Sequence, residues 1–273
     1  VIMSLIYELT EDQFEYLSDI VFRESRIKLS MNKKALLQSR VMRRMRILNL
    51  SNYNEYIDYL NSNYTKEIVE FINAVTTNKT EFFREGFHFE YLRDIVFPSL
   101  ESSDEIRIWS AGCSTGEEPY SIAITACEYF EGRENPVKIL ATDIDTNVLS
   151  TASEGIYKAD QVAVMEAELL KKYFLRGKNE NKNLFKAKDN LKKMIHLARL
   201  NLLDEVYPMK KKFHVVFCRN VVIYFDKETQ KILFQKFYNY IGDAGYLFIG
   251  HSENITNFNL RFSNIGRTLY KKD

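Results

Sequence analysis

From residue 10 to about residue 75 the apolar positions recur every three or four residues, the period of amphipathic helices. Helices are predicted over 11–23, 32–48 and 51–60, and over a further segment striped by Ile68, Phe71, Ile72 and Val75. Thr10 with Gln13 has capping-box form ahead of the first, and Ser51 is suited to cap the third. In the second, Leu37, Val41, Met45 and Leu48 make the buried stripe. Further along, a helix over 87–96 leads to short apolar runs at 106–110 and 137–142 with a helical segment, 117–129, between them. That is a βαβ unit. The pattern resumes with a strand at 213–217, a helix over 227–240 that Asp226 can cap and Gly242 can end, and strands at 246–249 and 268–270. A doubly wound sheet accounts for this half. Residues 169–197 break the rhythm. A polar turn at 176–183 is flanked by 184–188 and 194–198, predicted as antiparallel strands of a small β insertion. The expected division is a helical domain over 1–76, a bridge over 77–97 and a sheet domain over 98–273 with its insertion at 169–197.

Composition adds limits. The chain has 273 residues, 45% of them hydrophobic and 14% aromatic, enough for a real core. A net charge of +1 gives the whole molecule no bias toward polyanions, so charge matters by segment. Between Arg26 and Arg46 there are eight basic residues and no acidic one. Arg40, Arg43 and Arg46 fall off the apolar stripe, on the side expected to face solvent; a solvated helix face and an acidic-partner or RNA-phosphate surface both fit. Cys113, Cys127 and Cys218 lack metal-ligand spacing and read as reduced thiols of a cytoplasmic protein. The four histidines are scattered, so no metal is expected. No apolar run reaches membrane-spanning length, and residues 1–6 lack the basic start and long apolar core of a signal peptide.

Candidate chemistry concentrates at predicted strand ends. Residues 106–121 pass from an apolar strand through a turn holding Gly112 and Gly116 into a helix that opens with Glu117, Glu118 and Pro119. A pyrophosphate wants bare N–H groups, and a P-loop needs Lys and Ser or Thr at the helix start. This turn is acidic instead, which suits a cationic ligand such as S-adenosylmethionine; an ordinary α/β turn without ligand also fits. Asp143 ends the next strand, where a carboxylate can grip ribose hydroxyls. Asn201, Cys218-Arg219-Asn220 and Gly250-His251-Ser252-Glu253 end further strands, and Tyr224 is the polar exception in the apolar run 221–225. Asn78, Thr80 and Arg84 lie on the bridge, which reads equally as a linker anchored by Phe82 and Phe83 or as a segment that closes over a ligand.

Asn-x-Thr-x-Phe-Phe-Arg at 78–84, the run at 109–121, Ala-Thr-Asp-Ile-Asp at 141–145, Cys-Arg-Asn-Val-Val-Ile-Tyr-Phe at 218–225 and Gly-His-Ser-Glu at 250–253 together resemble the CheR chemotaxis methyltransferases, in order and over almost the whole chain. The resemblance implies an α/β fold with a Rossmann-like class I methyltransferase sheet, an N-terminal all-helical domain and a small antiparallel β insertion. It implies methyl transfer from S-adenosylmethionine, leaving S-adenosylhomocysteine, to glutamate side chains of bacterial chemoreceptors. Asn78, Thr80, Arg84, Gly112, Glu118, Asp143, Asn201, Leu202, Arg219 and Asn220 are then expected to line the cofactor site, with Arg84 and Tyr224 flanking the transferred methyl. Arg40, Arg43 and Arg46 are expected to face the receptor's acidic cytoplasmic helices. The protein is expected in the cytoplasm, recruited to receptor arrays, without metal, nucleic acid or membrane insertion. Members that bind a C-terminal receptor pentapeptide have a glycine-rich loop in the insertion, where this chain has Gly177 among Lys and Asn. Edge-strand pairing remains available to such a peptide.

Other readings have specific discriminators. A methyltransferase for RNA, DNA or a small molecule would share the cofactor site, although Arg219-Asn220-Val221-Val222 lacks the Pro-Pro-aromatic signature of adenine N6 enzymes. An idle adenosylmethionine-binding regulator would have no need of Arg84 and Tyr224. A nicotinamide oxidoreductase is disfavoured because Gly112 and Gly116 do not make Gly-x-Gly-x-x-Gly.

Overall fold

In the computed structural model, which describes residues 8–76 and 78–273, Thr10 and Gln13 form the expected capping box at the start of α1 (Glu11–Ser25). The expectations for residues 1–6 and for Thr77 lie outside the described residues. The second predicted helix begins as a 3-10 turn, Met31–Lys33, before α2 (Lys34–Leu48). The cap of α3 (Tyr53–Ser62) is Asn52 rather than Ser51: Asn52 accepts from the Glu55 N–H, while the Ser51 N–H is drawn to the Glu55 carboxylate. α4 (Tyr64–Val75) buries Phe71, Ile72 and Val75, with Ile68 half-buried. These four helices close on one another partly through a polar contact. Arg44 of α2 makes a bidentate pair with buried Glu67 of α4, at 3.0 and 2.6 Å, and the Tyr56 hydroxyl donates to the same carboxylate. Chain contacts group the described residues up to Thr76 with Tyr224–Asp226 as one unit, and Asn78–Ile223 with Lys227–Asp273 as the other.

The second unit opens with α5 (Phe87–Tyr91), continued by a π-helical turn (Leu92–Val96) and α6 (Phe97–Ser99). Its main sheet contains β1 (Ile106–Ala111), β2 (Val137–Asp143), β6 (Ile195–Arg199), β7 (Phe213–Cys218), β8 (Ile241–Ile249), β9 (Phe262–Gly266) and β10 (Leu269–Lys272). Their order is β6-β2-β1-β7-β8-β10-β9, with the first five strands parallel and β10 antiparallel to both β8 and β9. Helices α7 (Glu117–Tyr129) and α12 (Lys227–Tyr240) connect parallel strands, as the βαβ reading expects, and α8 (Thr146–Glu154), which the sequence pattern did not predict, follows β2 on the way to β6. Trp109 of β1 is fully buried among the rings of Tyr207, Phe213, Phe237 and Tyr240, and its indole N–H donates to the Thr142 hydroxyl at 2.9 Å. That bond ties β1 to β2 beside the turn that follows.

Two further expectations are corrected. The segment 194–198 does not join the insertion: β6 pairs in parallel with β2, Ile139 opposite Ile195 and Asp143 opposite Arg199. Alternating apolar residues suit an edge strand in either direction, so the pattern alone did not fix its partner. The small antiparallel sheet is instead β3 (Ile156–Lys158), β5 (Leu184–Ala187) and β4 (Phe174–Arg176); α9 (Ala159–Val162) and α10 (Ala167–Tyr173) link β3 to β4, and α11 (Asp189–Lys192) leads from β5 to β6. Gly242 does not end α12. It lies inside β8, and the left-handed residue there is Ala244, with φ 57°.

Candidate active site

Parallel register brings the carboxyl ends of β2, β1, β7 and β8 to one edge of the sheet, and each carries a segment singled out in the sequence. Gly112 follows β1, Asp143 ends β2, Arg219 and Asn220 follow β7, and Gly250 follows β8. Beyond β6, the Leu200 N–H donates to the Asp143 carbonyl at 3.0 Å, setting Asn201 and buried Leu202 next to the end of β2.

The turn after β1 needs its glycines. Gly112, Ser114 and Gly116 have φ of 83°, 49° and 100°, and a Cβ on Gly112 would meet the Val221 side chain at 2.4 Å. The N–H groups of Gly112 and Cys113 both donate to the Thr142 carbonyl, at 2.8 and 2.9 Å, and that of Ser114 donates to Asp143 Oδ2 at 2.8 Å. Three of the turn's N–H groups are thereby held by β2, and that of Gly116 by the Cys113 carbonyl, so they are not available to a pyrophosphate. Asp143 Oδ1 also accepts from the Asp145 N–H at 3.0 Å. Burial raises the Asp143 pKa, opposed by these backbone donors. Asp145 caps α8 through Oδ1 and holds the Asn78 amide at 2.8 Å through Oδ2.

The two glutamates at the start of α7 diverge. Glu117 is 1% exposed and accepts from the Thr115 hydroxyl and the Gln161 amide. Glu118 accepts from the Ser110 hydroxyl at 2.7 Å and from Arg219 Nη1 at 3.1 Å. Arg219, 7% exposed, also donates through Nη2 to the Arg84 carbonyl and lies 3.4 Å from Glu85 Oε2. One guanidinium therefore serves two carboxylates whose side chains are 5% and 12% exposed, two acidic groups to one basic group. Burial raises the Glu118 pKa, and Arg219 opposes that shift. Phe83 and Glu85 both have left-handed φ, 53° and 55°, a costly backbone for residues with side chains. They flank half-buried Arg84, whose Nη1 donates to the Lys79 carbonyl at 3.0 Å; Thr80 lies half-buried in the same loop. Phe82 anchors the loop, fully buried against the edges of Tyr157 and Phe174.

The remaining expected residues belong to the helical unit. Tyr224 ends the 3-10 turn Val222–Tyr224, groups with the helical unit, and accepts from the Lys28 N–H at 3.2 Å through its carbonyl. On α2, Arg43 and Arg46 are exposed. Arg40 is less free than its position off the stripe suggests, because it is half-buried and donates to the Ala74 carbonyl in the last turn of α4, where carbonyls lack helical partners.

Sequence reasoning missed Glu85 and His88. His88 is fully buried, its Nε2 3.0 Å from the Thr268 hydroxyl and its Nδ1 3.6 Å from Glu85 Oε2. Burial, then the positive charge of Arg219, pulls its pKa down to about 2. This base binds a proton more weakly folded than unfolded, so its contribution to stability is complete above pH ~6.5 and is lost as pH falls below that value. A neutral folded His88 predicts that wild type loses about 2 kcal/mol more unfolding free energy than His88→Gln between pH 7 and pH 5. Denaturant unfolding of both proteins at the two pH values measures it, and equal losses contradict it. Glu117, Glu118, Asp143 and Glu253, whose pKa values desolvation raises, act with the opposite sign, so the difference between the proteins reports His88. Among the described residues, no group of three or more His, Cys, Asp or Glu side chains is disposed to hold a metal ion.

Residues 78–271 match the CheR methyltransferase SAM-binding domain, and residues 12–76 match the CheR methyltransferase all-alpha domain. A chemotaxis protein methyltransferase of Borreliella burgdorferi is 42% identical, over 99% of this chain and 97% of that protein. Chemotaxis protein methyltransferase 2 of Pseudomonas aeruginosa is 38% identical over 97% and 94%, and the Escherichia coli chemotaxis protein methyltransferase 38% identical over 96% and 91%. With both domains matched in order and relatives aligned nearly end to end, the chain belongs to the CheR family of S-adenosylmethionine-dependent chemotaxis methyltransferases.

Proposed function

We propose that this protein transfers the methyl group of S-adenosylmethionine to the side-chain carboxylate of specific glutamates on bacterial chemoreceptors, forming glutamyl methyl esters and releasing S-adenosylhomocysteine. The observation that carries the cofactor half is the pairing of an amide-depleted glycine turn with the acidic Glu118–Arg219–Glu85 cluster. A sulfonium and an ammonium suit that surrounding, and a phosphate does not. In this reading Asn78, Thr80, Gly112, Glu118, Asp143, Asn201, Leu202, Arg219 and Asn220 hold the cofactor, with Asp143 on the ribose hydroxyls.

The acceptor chemistry needs little from the protein. A glutamate is already ionised at neutral pH and attacks the sulfonium methyl in line, so no strong general base is required. Alignment is the main task. Arg84 orients the incoming carboxylate by a charge-assisted hydrogen bond, and Tyr224 adds its hydroxyl at the methyl. Incubation with methyl-labelled cofactor, a receptor cytoplasmic fragment and total RNA is the direct test. Base-labile label on the fragment supports the proposal, and label on RNA contradicts it.

Receptor recognition falls to the basic helix, where Arg43 and Arg46, with Arg40 at its inner margin, meet acidic receptor helices. Arg43→Glu with Arg46→Glu is expected to lower kcat/KM for the receptor at least 10-fold at low salt, to show a smaller loss at high salt, and to leave S-adenosylhomocysteine affinity unchanged. Steady-state assays at two ionic strengths read this, and unchanged receptor methylation at low salt refutes it. A receptor C-terminal peptide pairing with an edge of the small β sheet is a further contact this reading allows. The protein acts from the cytoplasm at receptor arrays. No described helix is long and apolar enough to cross a membrane.

A further inference from the structure

Glu253 was legible in the sequence only as part of a polar turn after β8. Its side chain reaches back across two strand ends. Oε2 accepts from the Gly250 N–H at 2.6 Å and the Asn220 N–H at 3.1 Å, and Oε1 accepts from the Val222 N–H at 2.8 Å. The residue is 7% exposed, so these bonds form out of water, where an ionised acceptor is held strongly by N–H donors. Two of the donors belong to the turn after β7 and one to the residue after β8. The ends of these strands pack too tightly for a side chain on Gly250, whose Cβ would lie 2.4 Å from Asn220 Nδ2.

The turn that Glu253 grips has an unusual backbone: Asn220 has φ 59°. Arg219 precedes it, with its guanidinium on Glu118 and on the Arg84 carbonyl. We propose that Glu253 is a positioning residue for the cofactor, its carboxylate fixing the turn that presents Arg219 and Asn220. The proposal rests on the cofactor reading given above. An amide cannot replace the carboxylate. Glutamine offers one acceptor oxygen and turns an NH₂ group toward donors that need an acceptor.

S-adenosylhomocysteine binding to the full chain, measured by calorimetry well below the melting temperature, tests this together with steady-state methylation. Glu253→Gln is expected to weaken S-adenosylhomocysteine binding at least 10-fold and to raise KM for S-adenosylmethionine by a similar factor, with kcat within about threefold of wild type. Leu233→Ala, a cavity in the core under α12, lowers the melting temperature but is expected to leave that affinity within twofold. Glu253→Asp keeps the charge but withdraws it by one methylene, so an affinity between wild type and Glu253→Gln is expected. It also serves as the test if Glu253→Gln does not fold, at least threefold weakening then being required. Unchanged affinity in the Glu253 variants, or an equal loss in Leu233→Ala at the same melting temperature, overturns the proposal alone. A wild-type chain that binds no S-adenosylhomocysteine overturns the cofactor reading, and this inference with it.

Discussion

Replacing Arg219 by Leu is expected to lower the melting temperature of the sheet domain by roughly 10 °C and to abolish measurable S-adenosylhomocysteine binding. Arg219 is the cation that Glu118 and Glu85 share, with Nη1 3.1 Å from one carboxylate and Nη2 3.4 Å from the other. Leu fills part of the space but leaves both largely covered carboxylates without the Arg219 charge. Removing one partner from such a site costs about 3–5 kcal/mol, far above the 0–1 kcal/mol of an exposed pair. The loss of binding follows separately, because Arg219 also braces the Arg84 carbonyl and so the left-handed segment around it. A calorimetric scan with a binding titration reads both effects. A variant that melts like wild type, or that binds normally, would show that the cluster holds neither the domain nor the cofactor.

Tyr224→Phe is expected to lower kcat for receptor methylation by about 100-fold while leaving S-adenosylhomocysteine affinity within twofold. The substitution removes one hydroxyl and keeps the ring. If that hydroxyl acts on the methyl during transfer, its loss appears in the chemical step and not in ground-state binding. Wild-type turnover would remove Tyr224 from the mechanism. Weaker cofactor binding at unchanged kcat would assign it to the cofactor instead.

What the sequence revealed and what it hid have different physical origins. The N-terminal helices were legible because they carry local signals, such as the Thr10–Gln13 capping box and the 3.6-residue stripe of α2, whereas α8 to α11 were not predicted. The parallel strands were legible as apolar runs between helices. Their partners were less so: the β6 pattern Ile-His-Leu-Ala-Arg suits a parallel or an antiparallel neighbour, and pairing with β2 is settled only by tertiary contacts. At the candidate site, Gly112, Asp143, Arg219 and Asn220 stood out as polar or glycine residues at predicted strand ends, and Glu118 as an acid in the first turn of a predicted helix. Glu253 stood there too, but its partners are backbone N–H groups, which no sequence displays. His88 looked like a lone histidine near a helix start, and its partner Thr268 is 180 residues away in the chain. The divergence of Glu117 from Glu118 was likewise invisible, since adjacent residues on one helix turn point in different directions and only packing decides which meets the sheet edge.

The most direct test of the central claim is methyl transfer from labelled S-adenosylmethionine to a purified receptor cytoplasmic fragment, run beside the same fragment with its acceptor glutamates changed to alanine and beside total RNA. The account predicts base-labile label on the intact fragment alone. Label that resists base, persists on the alanine fragment or appears on RNA would contradict it.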